Sequence, residues 1–195
     1  MLQFTSQSDF SEIYRIMQAS FSDDEYRPYD EQLALFEEPE YRVYYMPAIG
    51  MERVGNHSTG NSTMHAAGFL AVWEFESFTY IEHFAVDPLL RNSGTGSAML
   101  QELVRKYQKQ ICLEVELPED ELTRRRIGFY ERNGFVFNEY PYIQPPISKG
   151  KSPVPLRIMT YGSAITQDTF EEMKRVLYQR VYKCTVCLLY TSRCV

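Results

Sequence analysis

Val86-Asp87-Pro88-Leu89-Leu90-Arg91-Asn92-Ser93-Gly94-Thr95-Gly96 is the stretch that orders the rest of the chain. Before it, residues 78–86 read as a strand. After it, Met99, Leu100, Leu103, Val104 and Tyr107 fall on one face at helical spacing. The glycines therefore sit where a strand turns into a helix. They let the backbone bend tightly and let a ligand come close to it. The N–H groups of the first helical turn lack partners within the helix, and with the helix dipole they form a ready site for a pyrophosphate. Two familiar phosphate loops do not fit. A dinucleotide fingerprint needs a third glycine where Met99 stands, and a P-loop needs a lysine that is absent here.

Working outward, the strand Ile111 to Leu117 follows the helix, so strand, helix and strand form a crossover unit with parallel strands that are adjacent or nearly so. A helix is predicted from about Glu119 to Arg132, closed by Asn133-Gly134. Phe135 to Asn138 and Leu156 to Tyr161 read as the last strands, joined by the proline-rich YPYIQPPISKGKSPVP. Thr169 to Val181 reads as a closing helix. Toward the N-terminus, residues 1–5 read as a short strand. Ser8 or Asp9 caps a helix carrying Phe10, Ile13, Tyr14, Met17 and Phe21. A second helix carries Leu33, Leu35 and Phe36. Tyr41 to Met46 reads as a strand, Gly50 to Ser62 as a hairpin loop, and 65–75 as a strand that turns back at Glu76-Ser77.

Three features in register resemble the GNAT superfamily of N-acetyltransferases. The first is Val86-Asp87-Pro88 followed by Arg91, Gly94 and Gly96. The second is Ile127-Gly128-Phe129-Tyr130-Glu131-Arg132-Asn133-Gly134-Phe135, and the third is the strand LEVEL at 113–117. The resemblance covers about residues 1–163. It implies an α/β (α+β) fold with a mixed central sheet of six to seven strands flanked by helices, whose two central parallel strands, 78–86 and 111–117, splay apart. It also implies acetyl-CoA as acetyl donor. The pantetheine arm would pair with the backbone at Phe84, Ala85 and Val86. The diphosphate would rest on Arg91, Asn92, Ser93, Gly94, Thr95, Gly96 and Ser97, with Phe129 and Tyr130 beside the arm.

Acetyl transfer to an amine needs a neutral nucleophile, a donor for the oxyanion and a proton for the departing thiolate. The resemblance places Tyr130 near the sulfur as proton donor, or as packing for the arm, and a backbone amide near Phe84 at the oxyanion. Glu82 is the candidate base, because regular alternation sets it on one face with Tyr80, Phe84 and Val86 and turns His83 away. Glu114 and Glu116 are alternatives that would bind or deprotonate the amine. Tyr26, Arg27 and Tyr29 are expected to line the acceptor pocket with 140–146, Arg27 gripping a carboxylate or simply lying exposed.

The 195 residues suggest one domain, 1–183, followed by a short tail, 184–195. Within the tail, CLLYTS (187–192) is what the DNA of a sequencing-library transposon end encodes, so the chain is expected to be foreign from about 187. Net charge is -6 without a basic run, which argues against nucleic acid as partner. No stretch reaches the roughly 20 apolar residues of a membrane span, and the N-terminus shows no signal peptide, so a cytoplasmic protein is expected. The 15 Tyr and 12 Phe suit either a well-filled core or an amphipathic pocket. Cys184-x-x-Cys187 has no second pair or histidine at metal spacing, Cys112 reads as a core residue, and no metal is expected. The sequence thus points to a monomeric or homodimeric N-acetyltransferase acting by direct attack on a primary amine of a small molecule or peptide. A non-catalytic sensor of acetyl-CoA is the alternative.

Overall fold

The structure is a computed structural model that describes residues 1–48 and 65–184. The expected loop at 50–62 and the suspect tail from 187 lie outside the described residues. Among those residues there are eight strands and five α-helices, in two compact units. The first unit comprises 1–22 and 28–111, and the second comprises 23–27 and the chain from Cys112.

In the first unit, β1 (Gln3–Phe4), β2 (Tyr41–Pro47), β3 (Ala66–Glu74) and β4 (Phe78–Val86) form an antiparallel succession. β3 is buried from Ala66 to Trp73, and both α1 (Phe10–Gln18) and α3 (Thr95–Lys106) pack against it. That explains its unbroken apolar sequence, since a strand with alternating exposure would show polar residues at every second place. α1 buries Phe10, Ile13, Ile16 and Met17. The expected cap at its start is replaced by a 3-10 turn, Gln7–Asp9, within which the Ser6 hydroxyl donates to Asp9 at 2.6 Å. The second predicted helix is α2 (Tyr29–Ala34), continued by a 3-10 turn, Leu35–Glu37.

In the second unit, β8 (Val154–Tyr161) pairs antiparallel with β5 (Gln110–Glu116), with β6 (Phe135–Phe137) and with β7 (Tyr142–Gln144). β7 arises inside the proline-rich stretch that was read as a connection, and it brings the strand number to eight rather than six to seven. α4 (Glu121–Arg132) starts at a reciprocal cap. The Thr123 amide donates to the Asp120 carboxylate at 2.7 Å, and the Asp120 amide donates to the Thr123 hydroxyl at 3.1 Å. The closing helix is α5 (Gln167–Val176), whose last part widens into a π-turn, Leu177–Val181.

Gly68 shows how closely β3 approaches its surroundings. A Cβ there would lie 2.6 Å from the Ala85 carbonyl oxygen and 3.0 Å from the Met99 sulfur. The carbonyl belongs to the β4 ladder and cannot yield without loosening the pairing. Gly68→Ala is therefore expected to cost about 1–3 kcal/mol, as overpacking does. Urea unfolding of the two proteins measures it, and equal midpoints would show that the strands separate freely at this point.

Candidate functional site

β4 ends at Val86, and the next residue fastens the turn. The Asp87 carboxylate accepts from the Leu89 amide at 2.9 Å and from the Arg15 guanidinium at 2.7 Å. After a 3-10 turn, Pro88–Leu90, the backbone enters the left-handed region twice, at Asn92 (φ 64°) and Gly94 (φ 82°). Gly94 is the N-cap of α3. Having no side chain, it leaves the amides of the first turn without a side-chain acceptor of their own. Among the described residues, a Cβ on Gly94 would meet no atom within 4 Å beyond its chain neighbours and its own helix, so the space over the turn is open there. The hydroxyls of Ser93 and Thr95 lie 2.7 Å apart at the same place. Arg91 bends back, with its guanidinium donating to the Val86 carbonyl at 3.3 Å and to the Ser20 hydroxyl at 3.2 Å. Open amides, two hydroxyls and a bent backbone thus meet at the start of a twelve-residue helix, an arrangement with the chemistry to hold an anion.

The alternation expected along β4 breaks at Glu82. Ala71 of β3 pairs with His83 while Val72 pairs with Ile81, so Glu82 is an extra residue in the ladder, a β-bulge. Glu82 and His83 consequently do not diverge. Their side chains are 1% and 2% exposed, and Nδ1 of His83 lies 3.5 Å from Oε2 of Glu82. The His83 ring meets Phe21 edge-on, with centroids 5.1 Å apart. Beyond the bulge, Phe84, Ala85 and Val86 pair regularly with Leu70, Phe69 and Gly68.

In the second unit, Tyr130 is 8% exposed on α4, with its ring between Phe129 (5.3 Å) and Phe135 (5.8 Å). Burial pushes its phenol up to about 12. Glu116 adds to the rise, and Arg126 opposes it. Burial likewise raises the Glu116 carboxyl above the usual carboxylate range, against the pull of the paired Arg126 guanidinium. Glu114, on the same strand, accepts from the Tyr182 hydroxyl at 2.7 Å.

The residues expected to line an acceptor pocket divide. Tyr26 and Arg27 belong to the second unit, where Tyr26 donates to Asp23 at 3.0 Å and lies under the Lys151 ammonium. Arg27 is 5% exposed, and its guanidinium donates to the Val181 carbonyl at 3.3 Å, so it is not a surface arginine. Tyr29 belongs to the first unit, in an aromatic group with Phe10 and Tyr14. Among the described residues no group of three His, Cys, Asp or Glu could hold a metal ion, and no helix is long and apolar enough to cross a membrane.

The position of the Tyr130 phenol has a thermodynamic consequence. A phenol whose pKa rises from 10 to about 12 on folding favours the folded state below pH 10, and that contribution disappears as pH climbs through 12. The wild type should therefore lose on the order of 2 kcal/mol more stability than Tyr130→Phe between pH 9 and pH 12. Urea midpoints at the two pH values report it. An equal loss in both proteins would mean that the phenol is open to water.

Comparison with known proteins agrees with this geometry. Residues 60–137, which include the bulge, the turn and Tyr130, match the family model described as an acetyltransferase (GNAT) domain. A solved structure named "Putative acetyltransferase from GNAT family", from Bacteroides thetaiotaomicron, superposes with a TM-score of 0.80 at 28% identity, covering 95% of this chain and 99% of that one. The chain is 32% identical over 93 residues to "Putative acetyltransferase YjbC" of Bacillus subtilis (strain 168). The match covers 47% of this chain and 46% of YjbC, so about half of that relative's length. The ribosomal-protein-S18-alanine N-acetyltransferase of Escherichia coli shares the fold, with a TM-score of 0.55 at 18% identity over 86% of this chain and 97% of that one. By the matched segment and by the fold built around it, this chain is similar to acetyltransferases of the GNAT superfamily.

Proposed function

We propose that the protein transfers the acetyl group of acetyl-CoA to a primary amine of a small molecule or peptide, by direct attack in a ternary complex. The observation that carries this reading is the turn 91–96: two left-handed residues, a helix whose N-cap has no side chain, and open space above it. In this reading the diphosphate takes the amides of that turn, and the pantetheine arm runs along Phe84–Val86 as an added strand would.

The neutral amine attacks the acetyl carbonyl carbon, forming the C–N bond, while a backbone amide near Phe84 meets the oxyanion. Glu82 takes the proton that the attacking nitrogen must shed. His83 lies beside it, with Nδ1 3.5 Å from the Glu82 carboxylate. Collapse then breaks the C–S bond, and the thiolate sulfur faces the Tyr130 phenol. A phenol near 12 is fully protonated at neutral pH but is a much weaker acid than a thiol near 8.5. Tyr130 therefore acts chiefly by hydrogen-bonding the developing thiolate. Of the acceptor residues, Tyr26 and Glu116 remain candidates to contact the amine, Tyr29 stands at the edge of an aromatic group, and Arg27 is engaged by Val181. A cytoplasmic setting suits a supply of acetyl-CoA.

Acetyl-CoA at 100 times its dissociation constant should stabilise the protein by about 2.7 kcal/mol, which is several degrees in melting temperature. Gly94→Glu, with an anionic side chain in the open space and a strained φ, should lose that shift. No binding of acetyl-CoA to the wild type at millimolar concentration by calorimetry would refute the reading.

Release of free CoA thiol across an amine panel tests turnover. Tyr130→Phe should lower kcat about 10²-fold, the low end for proton-transfer groups, with little change in cofactor affinity. Tight cofactor binding with no turnover on any amine would make the protein a sensor instead.

A further inference from the structure

α1 carries two ties to the glycine turn that the transfer chemistry above leaves without a role. From its last helical turn, the Arg15 guanidinium donates to the Asp87 carboxylate at 2.7 Å. Through two nitrogens it also donates to both oxygens of Glu12, each at 2.9 Å. Just beyond the helix, the Ser20 hydroxyl accepts from Arg91 at 3.2 Å. The helix is a firm base for both ties, because Phe10, Ile13, Ile16 and Met17 are wholly buried. The Asp87 side chain is only 9% exposed, so its pairing with Arg15 is screened less than a surface ion pair would be.

From Asp87 the ties continue to the start of α3. The Asp87 amide donates to the Ala67 carbonyl of β3 at 2.9 Å, and its own carbonyl accepts from the Leu90 amide at 2.8 Å. The Leu90 carbonyl accepts from the Ser93 hydroxyl at 2.7 Å, and that hydroxyl lies 2.7 Å from the Thr95 hydroxyl. Thr95 opens α3. Every link lies in the first unit, so a continuous run of hydrogen bonds connects α1 to the open amides. Charge matters as well as geometry. A carboxylate at the foot of a turn suited to an anion works against that anion, and the Arg15 charge offsets it.

We propose that Arg15 is a positioning residue for the diphosphate of acetyl-CoA. Acting through Asp87, it holds the turn from Pro88 to Thr95 in its binding form and neutralises the carboxylate beneath it. This rests on the acetyl-transfer reading for the identity of the ligand. A turn already held in its bound form spends less of the binding energy on ordering. Arginine suits the task because its planar fork serves two carboxylates at once, whereas lysine offers a single point charge.

Calorimetry of acetyl-CoA binding to the full chain provides the test. Arg15→Met keeps an apolar stem but loses the fork, and the dissociation constant is expected to rise about fivefold or more. Arg15→Lys should recover most of that loss through one bond to Asp87. Asp87→Asn keeps an oxygen for the Leu89 amide yet gives up the ion pair. In that background Arg15→Met should add less than about twofold, because the charge it acts through is gone.

Urea midpoints without ligand separate positioning from plain stability. An arginine that only stabilised the fold would lower the midpoint and leave the dissociation constant of the folded protein unchanged. That result would overturn the proposal. So would a lysine that recovers nothing, or an Arg15→Met loss that is undiminished in the Asp87→Asn background. If Arg15→Met fails to fold, Arg15→Gln removes the same charge while keeping a polar end, and unchanged affinity there refutes the proposal equally. Failure of the wild type to bind acetyl-CoA would sink the acetyl-transfer reading and this inference together. Normal wild-type binding with an indifferent Arg15 sinks this inference alone.

Discussion

The ladder between β3 and β4 is the constraint on which the rest depends. β3 is buried along its length, with α1 and α3 packed on it and β2 and β4 paired along its edges. At roughly 25 cal/mol per Å² of apolar surface, a strand so covered contributes strongly to stability, and its register cannot slip without exposing residues such as Phe69 and Val72. With β3 held, the end of β4 is held. The Asp87–Arg15 pair then ties the following turn to α1. The amides at the start of α3 are thus aimed by packing that lies well away from them, which is how a small loop acquires a defined direction.

The same ladder accommodates an extra residue at Glu82, and there the sequence stops being a sufficient guide. The bounds of β3 and β4 were legible to within a residue, because apolar runs and the Glu76-Ser77 turn mark them. The turn 91–96 and the Asn133-Gly134 stop were legible because glycine is needed where φ is positive, at 82° for Gly94 and 87° for Gly134. Alternation, by contrast, assumes constant register. One bulged residue reverses every face assignment on one side of it, so His83, read as turned away from Glu82, lies beside it. No local residue preference announces this, since the bulge sits at Glu-His rather than at glycine.

Contacts distant in sequence were hidden for a different reason. Arg27 reaches Val181 across 154 positions, and Glu114 meets Tyr182 across 68. Nothing in the local pattern of either residue encodes such a partner. β7 was concealed by the prolines around it, which usually mark a connection. Yet Tyr142, Ile143 and Gln144 pair with β8 between Pro141 and Pro145, flanked rather than interrupted by them. The π-turn was read as ordinary helix because its apolar spacing over Phe170, Met173, Leu177 and Val181 suits either winding.

The ionisable groups carry the last step of the synthesis. An enzyme that acylates amines must admit a nitrogen that is charged in water and use it uncharged, and the two states call for opposite surroundings. In the proposed reaction Glu82, buried beside His83 and its edge-on contact with Phe21, would take the proton that the nitrogen sheds. Glu114, on β5, already accepts from the Tyr182 hydroxyl. Tyr130, raised to about 12 by burial, keeps its proton at neutral pH, so in the proposed reaction it would be a fixed donor rather than a titrating acid.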